Sequence, residues 1–252
     1  MNKSSEIFSA SAGVFNLIYK DKNTSEEAEW ITDQLRLAKK LGHPDILEIG
    51  AGTGRHARAF GDAGFAVTAV EPSIDMLKAS VPHEQVRWFQ GDGETLRLGK
   101  EFDAVVALFH VVSYHTSLTK VAELFKTVNL HLKNGGIFGF DVWYTPAVIH
   151  KGPEDRVLTK EDDNIRVTRV AHPLENLRES LVDVHYSYSV ENLASGDVST
   201  FQEVHQLRHF TETEVQLLAE QFGFSILDAR EFMTDREPSR DTWGVWFSLQ
   251  KV

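Results

Sequence analysis

A short apolar run, Ile46-Leu47-Glu48-Ile49, meets three glycines at alternate positions, Gly50, Gly52 and Gly54. An apolar run of that length closed by a turn reads as a strand buried on both faces, and such strands belong to parallel sheets covered by helices. Glycines at the turn let the backbone reverse sharply and leave room for a ligand to approach. The chain must then cross back before a second strand can lie beside the first, and helical spacing resumes at once over 56–63.

The same alternation continues downstream. Residues 65–70 read as a second strand ending at Glu71-Pro72, with Ser73 as N-cap of a helix through Ala79. A third strand over 85–90 is closed by Gly91-Asp92-Gly93, and a fourth over 102–108 precedes a helix around 117–132. Asn134-Gly135-Gly136 is expected to end that helix before a fifth strand over 137–142. Upstream, Ala28, Ile31, Leu35, Ala38 and Leu41 predict an amphipathic helix over 25–41.

Beyond the fifth strand the period changes. Val182, Val184, Tyr186, Tyr188 and Val190 alternate with polar residues, as in a strand with one wet face, and 166–170 and 201–207 read as two more strands. Thr211 and Glu214 form a capping box for a helix through Phe222, and 224–232 with 243–249 predict a closing hairpin. The expected fold class is α/β, a doubly wound, mostly parallel seven-stranded sheet with a small antiparallel platform inserted after the fifth strand. Residues 1–150 and 210–252 would form the main domain with an N-terminal helical cap, and 151–209 the platform on the substrate side.

Composition narrows the functions. The 252-residue chain carries a formal net charge of −11, which disfavours a nucleic-acid partner, and no Lys/Arg run supplies a local basic patch. Cysteine is absent, so disulfides and thiolate chemistry are excluded and a cytoplasmic location fits. The segment Met1-Asn2-Lys3-Ser4-Ser5-Glu6 lacks the apolar core of a signal peptide, and the longest apolar stretch, broken by Asp103 and His110, is far shorter than a membrane span. The expectation is a protein without a membrane partner.

The glycine loop has two readings. A dinucleotide loop needs glycine where this chain has Arg55, because pyrophosphate must reach the helix N-terminus. An acid on the preceding strand, Glu48, suits a cationic ligand and would repel pyrophosphate. The spacing therefore favours S-adenosylmethionine (SAM) over NAD(P) and an oxidoreductase. Glu71 falls at the end of the next strand, about 20 residues on, where a ribose hydroxyl would be read. Asp92 is placed to accept from the adenine amino group, and Met76 to pack on its ring.

With these segments in register, the chain resembles class I SAM-dependent methyltransferases, and more narrowly the bacterial N-methyltransferases of nucleotide-linked amino-deoxysugars. The resemblance rests on Phe15-Asn16-Leu17-Ile18-Tyr19, the glycine loop, Ser73-Ile74-Asp75-Met76-Leu77, Gly91-Asp92, 98–102, Leu108-Phe109 and Gly135-Gly136. It continues through Asp141-Val142-Trp143-Tyr144, 182–186 and 205–210. Gly93 departs from the methionine usual there, and Lys20-Asp21-Lys22-Asn23 from a glycine- and lysine-rich stretch. The resemblance implies a small-molecule acceptor, a dTDP-linked amino sugar. O- or N-methylation of another metabolite, or SAM binding without catalysis, are the alternatives, and a homodimer stays open.

The residues expected to hold the cofactor are Tyr19, Glu48, Gly50, Ala51, Gly52, Gly54, Glu71, Pro72, Met76, Asp92, Gly93 and Phe109. By resemblance the proton acceptor falls on Tyr114, with His115 and His110 as neighbours able to take the role. Trp143, Tyr144, His185 and His205 are expected to face substrate. His205 and His209 share a strand face with Leu207, and no carboxylate at matched spacing makes them a metal site.

Overall fold

The computed structural model describes residues 8–38 and 44–252; the Leu41 end of the expected helix and the segment Met1–Glu6 lie outside the described residues. Five parallel strands form the centre of the sheet, in the order β3-β2-β1-β4-β5: β1 (Asp45–Ile49), β2 (Ala66–Glu71), β3 (Val86–Gln90), β4 (Phe102–Ala107) and β5 (Leu132–Tyr144). Two C-terminal strands, β10 (Phe224–Glu231) and β11 (Gly244–Lys251), pair antiparallel with each other, and β11 adds to β5. These are the seven strands expected.

Alternation along the central strands sends side chains to two cores. Leu47, Val105 and Phe138 face α5 (Leu118–His131) and α7 (Glu212–Gln221), while Ile46, Ala104 and Ile137 face α2 (Thr24–Ala38) and α3 (Arg55–Asp62). Both faces being covered explains why β1 reads as a continuous apolar run. Local signals hold as well. Ser73 accepts from Met76 N at the start of α4 (Ile74–Lys78), and Thr211 and Glu214 close the capping box of α7.

Two local expectations need correction. Asn134-Gly135-Gly136 does not cap a helix: α5 ends at His131, β5 begins at Leu132, and the triplet is an irregularity within the strand, where pairing jumps from Phe102↔Leu132 to Ala104↔Ile137. Gly135, at φ +70°, absorbs the kink. The platform also has one strand more than expected, β6 (Arg156–Glu161), whose exposure left no clean apolar alternation to read. It pairs with β7 (Ile165–Asn176), followed by β8 (Leu181–Asn192) and β9 (Val198–Phe210), all antiparallel.

The platform is continuous with the parallel sheet. β5 runs past its core pairing and joins β9 in parallel through Trp143↔His209 and Tyr144↔Phe210. A short helix, α1 (Ala12–Ile18), lies across the platform with Val14 and Ile18 against Val167 and Tyr188. Its Asn16 Oδ1 accepts from the Thr53 hydroxyl of the loop after β1 (2.7 Å), so the helix reaches from the platform to the glycine loop.

Candidate active site

At the carboxyl ends of the parallel strands lies a cleft of about 840 Å³, walled by the glycine loop on one side and by the platform and N-terminal segment on the other. Ligands of open α/β sheets bind at this end, where successive loops diverge.

The glycine loop leaves β1 with Gly50, Gly52 and Gly54 all at positive φ. The space around them differs. A Cβ on Gly52 would meet nothing within 4 Å, because it would project into the cleft. A Cβ on Gly54 would stand 2.2 Å from the Trp88 ring, so this glycine answers a packing demand and does not line the cleft. On Gly50 it would meet the Val111 side chain at 2.6 Å, on the turn that carries Tyr114.

Glu71 fixes the loop from β2: Oε2 accepts from Gly52 N (2.8 Å) and Oε1 from Ser73 N (2.8 Å). Burial nevertheless holds its carboxyl above the ordinary range, the two backbone donors only partly opposing it. Glu48, 2% exposed, is pushed up to about 8 by burial and then by the charge of Glu71, and its Oε2 has no hydrogen-bond partner. Two buried acids side by side, one with an orphaned oxygen, need a cation to be stable as anions. A ligand carrying a sulfonium and an ammonium supplies that charge, and open space over Gly52 admits it. The residues fit SAM.

Pro72 and Met76 continue this wall from β2 and α4, and Asp92 and Gly93 from the end of β3. Ala51, Phe109 and Tyr19 also line the cleft. Tyr19 is held from outside: Arg169 donates to its hydroxyl (2.9 Å), and its ring meets Phe109 edge-on at 5.1 Å. Arg55, the residue that spoils the dinucleotide pattern, donates to the carbonyls of Tyr19 and Lys22 and so ties the N-terminal segment to α3.

The loop after β4 is strained. Phe109 and His110 are consecutive non-glycine residues at φ +61° and +64°, each costing about 1–3 kcal/mol. Asp141 compensates: its Oδ2 accepts from His110 N (3.1 Å) and lies 2.7 Å from His110 Nδ1. Burial opposes its ionisation, yet the His110 charge and hydrogen bonds hold its carboxyl below the ordinary range. The turn Val111–Tyr114 that follows is thereby aimed into the cleft.

Tyr114 hydroxyl lies 3.1 Å from His205 Nδ1, and His205 Nε2 lies 3.2 Å from Glu203 Oε2. Glu203 Oε1 in turn accepts from Ala10 N and Ser11 N, and Phe8 packs edge-on to His205 at 4.5 Å. Burial pushes the Tyr114 phenol well above its usual value. For Glu203, burial is outweighed by the hydrogen bonds from His205 and Ser11, and its carboxyl stays below the usual range. His115 turns the opposite way, toward Glu94. His185 reaches the cleft rim from β8, with Asp183, Gln202 and Gln206 beside it.

Four expected site residues are not in the cleft lining. Gly54 serves the Trp88 contact, and His110 is turned toward Asp141. Trp143 packs on Trp243 at 5.3 Å and Tyr144 on the α5/α7 core, because the β5–β9 junction takes up both rings. Conversely, the sequence reading missed Phe8, Glu94, Arg169 and Glu203. Glu203 had a signal, standing two residues before His205 on the same strand face.

The chain is a SAM-dependent methyltransferase with a Rossmann-like methyltransferase fold. A family model described as a methyltransferase domain matches residues 46–136. The chain is 27% identical to the dTDP-3-amino-3,4,6-trideoxy-alpha-D-glucopyranose N,N-dimethyltransferase of Streptomyces venezuelae, over 81% of this chain and 86% of that one. It is 26% identical to a putative methyltransferase of Bacillus subtilis over 97% of each. Among solved structures it is similar to Streptomyces venezuelae DesVI (TM-score 0.80, 24% identity, 96% of this chain and 98% of that one). It is also similar to the sugar N-methyltransferase KedS8 from Streptoalloteichus (TM-score 0.80, 22% identity, 94% and 92%).

Proposed function

We propose that the protein N-methylates the amino group of a small acceptor, and that this acceptor is a nucleotide-linked amino-deoxysugar. The observation that carries the N-methylation reading is the chain Tyr114–His205–Glu203, which reaches the cleft opposite the glycine loop. The sugar reading draws its support from the relatives named above.

SAM, when bound, supplies an electrophilic methyl group on a sulfonium sulfur. On this reading the loop from Glu48 to Gly52, with Glu71 and Asp92, holds the donor, and the platform holds the acceptor. An amine is protonated near neutral pH and must lose a proton before it can attack. Anionic Glu203 accepts from His205 Nε2–H, which leaves Nδ1 free to accept from the Tyr114 hydroxyl. The phenol stays protonated, so it conducts rather than abstracts: its oxygen takes the ammonium proton while its own proton passes to His205 Nδ1. Glu203 then stabilises the imidazolium.

A second reading, methylation of an amine without a nucleotide, has one observation in its favour. Among the described residues that β8 and β9 contribute to the cleft, Asp183, His185, Gln202, Glu203, Val204, His205 and Gln206, none is the Lys or Arg that a diphosphate favours. Incubation with SAM and a panel of dTDP-amino sugars and simple amino sugars, read by mass spectrometry, separates the two. A methylated nucleotide sugar supports the first reading; methylation confined to free amines overturns it.

A further inference from the structure

The proton path leaves His115 unused, although this residue, 8% exposed, lines the cleft. It sits where β3 gives way to Asp92, Gly93 and Glu94, on the side away from the platform. Its Nδ1 lies 3.0 Å from Glu94 Oε1, and Lys120 lies 3.2 Å from the same oxygen. The hydrogen bond from His115, and after it Lys120, hold the Glu94 carboxyl below its usual range against partial burial. A carboxylate can only accept, so Nδ1 carries the proton of the neutral ring and Nε2 carries a lone pair. Among the described residues, none hydrogen-bonds Nε2. The ring carbon between the two nitrogens is 3.8 Å from where a Cβ on Gly93 would stand, and His115 lines the cleft together with Asp92 and Gly93, so the imidazole borders the cleft at the end of β3.

We propose that His115 reads the purine of the cofactor: Nε2, fixed as an acceptor by Glu94, takes a hydrogen bond from the exocyclic amino group of adenine. The inference rests on the SAM reading of the cleft. His115 is then a binding residue at the β3 end, separate from the Tyr114 proton path although adjacent to it in sequence. A purine with an oxo group at that position sets acceptor against acceptor, so the site should reject hypoxanthine.

Isothermal titration with S-adenosylhomocysteine and its deaminated counterpart, S-inosylhomocysteine, tests this directly. Wild-type protein should bind the adenosine form at least about tenfold more tightly, the cost of one mismatched buried hydrogen bond. In His115→Leu that ratio should shrink by about tenfold, chiefly through weaker binding of the adenosine form. Equal binding of both compounds by wild type, or an unchanged ratio in a variant that unfolds at the wild-type temperature, overturns the proposal. Because Asp92 alone would also make wild type prefer the adenosine form, the variant ratio decides it, and His115→Phe replaces the leucine variant if that one fails to fold. Wild-type protein that binds neither compound overturns the cofactor reading itself, an outcome distinct from the other two.

Discussion

Along the glycine-loop wall of the cleft, the contributing residues come from the ends of consecutive parallel strands and the loops that follow them. Glu48 lies near the end of β1 and Gly52 just beyond it, Glu71 closes β2 and Asp92 follows β3. Across the cleft the wall is assembled from distant segments: Phe8 and Tyr19 from the N-terminus, Tyr114 from the loop after β4, and Glu203 and His205 from β9. The first wall answers a ligand shared by a whole class of enzymes, and its geometry follows from strand order alone. On the proposed function the second answers the acceptor, and it depends on how the platform is docked onto β5. Binding of the donor and turnover of the acceptor should therefore be separable by mutation, wall by wall.

The sharpest break is Gly52→Val. A branched side chain at φ +58° would project into the open cleft, and binding of S-adenosylhomocysteine should fall by at least about a hundredfold. Unchanged affinity by titration in a folded variant would put the donor elsewhere. On the opposite wall, Tyr114→Phe cuts the path to His205. Turnover should drop by about 10²–10³-fold, with affinity for S-adenosylhomocysteine within about threefold of wild type. Equal losses in both would erase the distinction between the walls.

Gly54→Ala probes the same loop from its packed side. With Trp88 2.2 Å from the new Cβ and φ at +75°, the variant should lose about 2–3 kcal/mol of stability. Chemical denaturation measures that loss, and the folded fraction should still bind the donor product. A ligand-specific defect without destabilisation would contradict the packing role.

The buried acids make donor binding depend on pH. Glu48, at about 8 in the free protein, is protonated at pH 7 and is ionised by a cationic ligand, so binding releases a proton. Affinity should rise with pH up to about 8, by at most about tenfold per unit, and Glu48→Gln should flatten that rise. The stability of the free protein runs the other way. Its folded-state carboxyl value lies above the unfolded one, so the contribution is complete below about 4.5 and is lost as pH rises toward 8. Titration in buffers of different ionisation enthalpy counts the protons. The smallest effect expected is that of Arg169→Lys, which weakens the hold on the Tyr19 hydroxyl and should cost about threefold in affinity.

How much of this was legible beforehand follows the same division. Glu48, Glu71 and Asp92 could be placed because each ends a strand, and consecutive parallel strands bring their ends to one edge. Trp143 and Tyr144 also end a strand, yet they miss the cleft, since β5 continues into pairing with β9, a contact of high sequence separation. Arg169 carried no signal: a charged residue on a platform strand looks solvated until Tyr19 and Tyr186 close on it.

By itself the sequence determined the alternating strands and helices, the caps at Ser73 and Thr211, and the acid-flanked glycine turn, because these depend on residues within a few positions of one another. Only the tertiary structure decided that Tyr114 would meet His205, 91 residues away, while His115 turned to Glu94. Neighbours on a tight turn point in different directions, and which partner each finds depends on how β9 and β3 are placed around the turn.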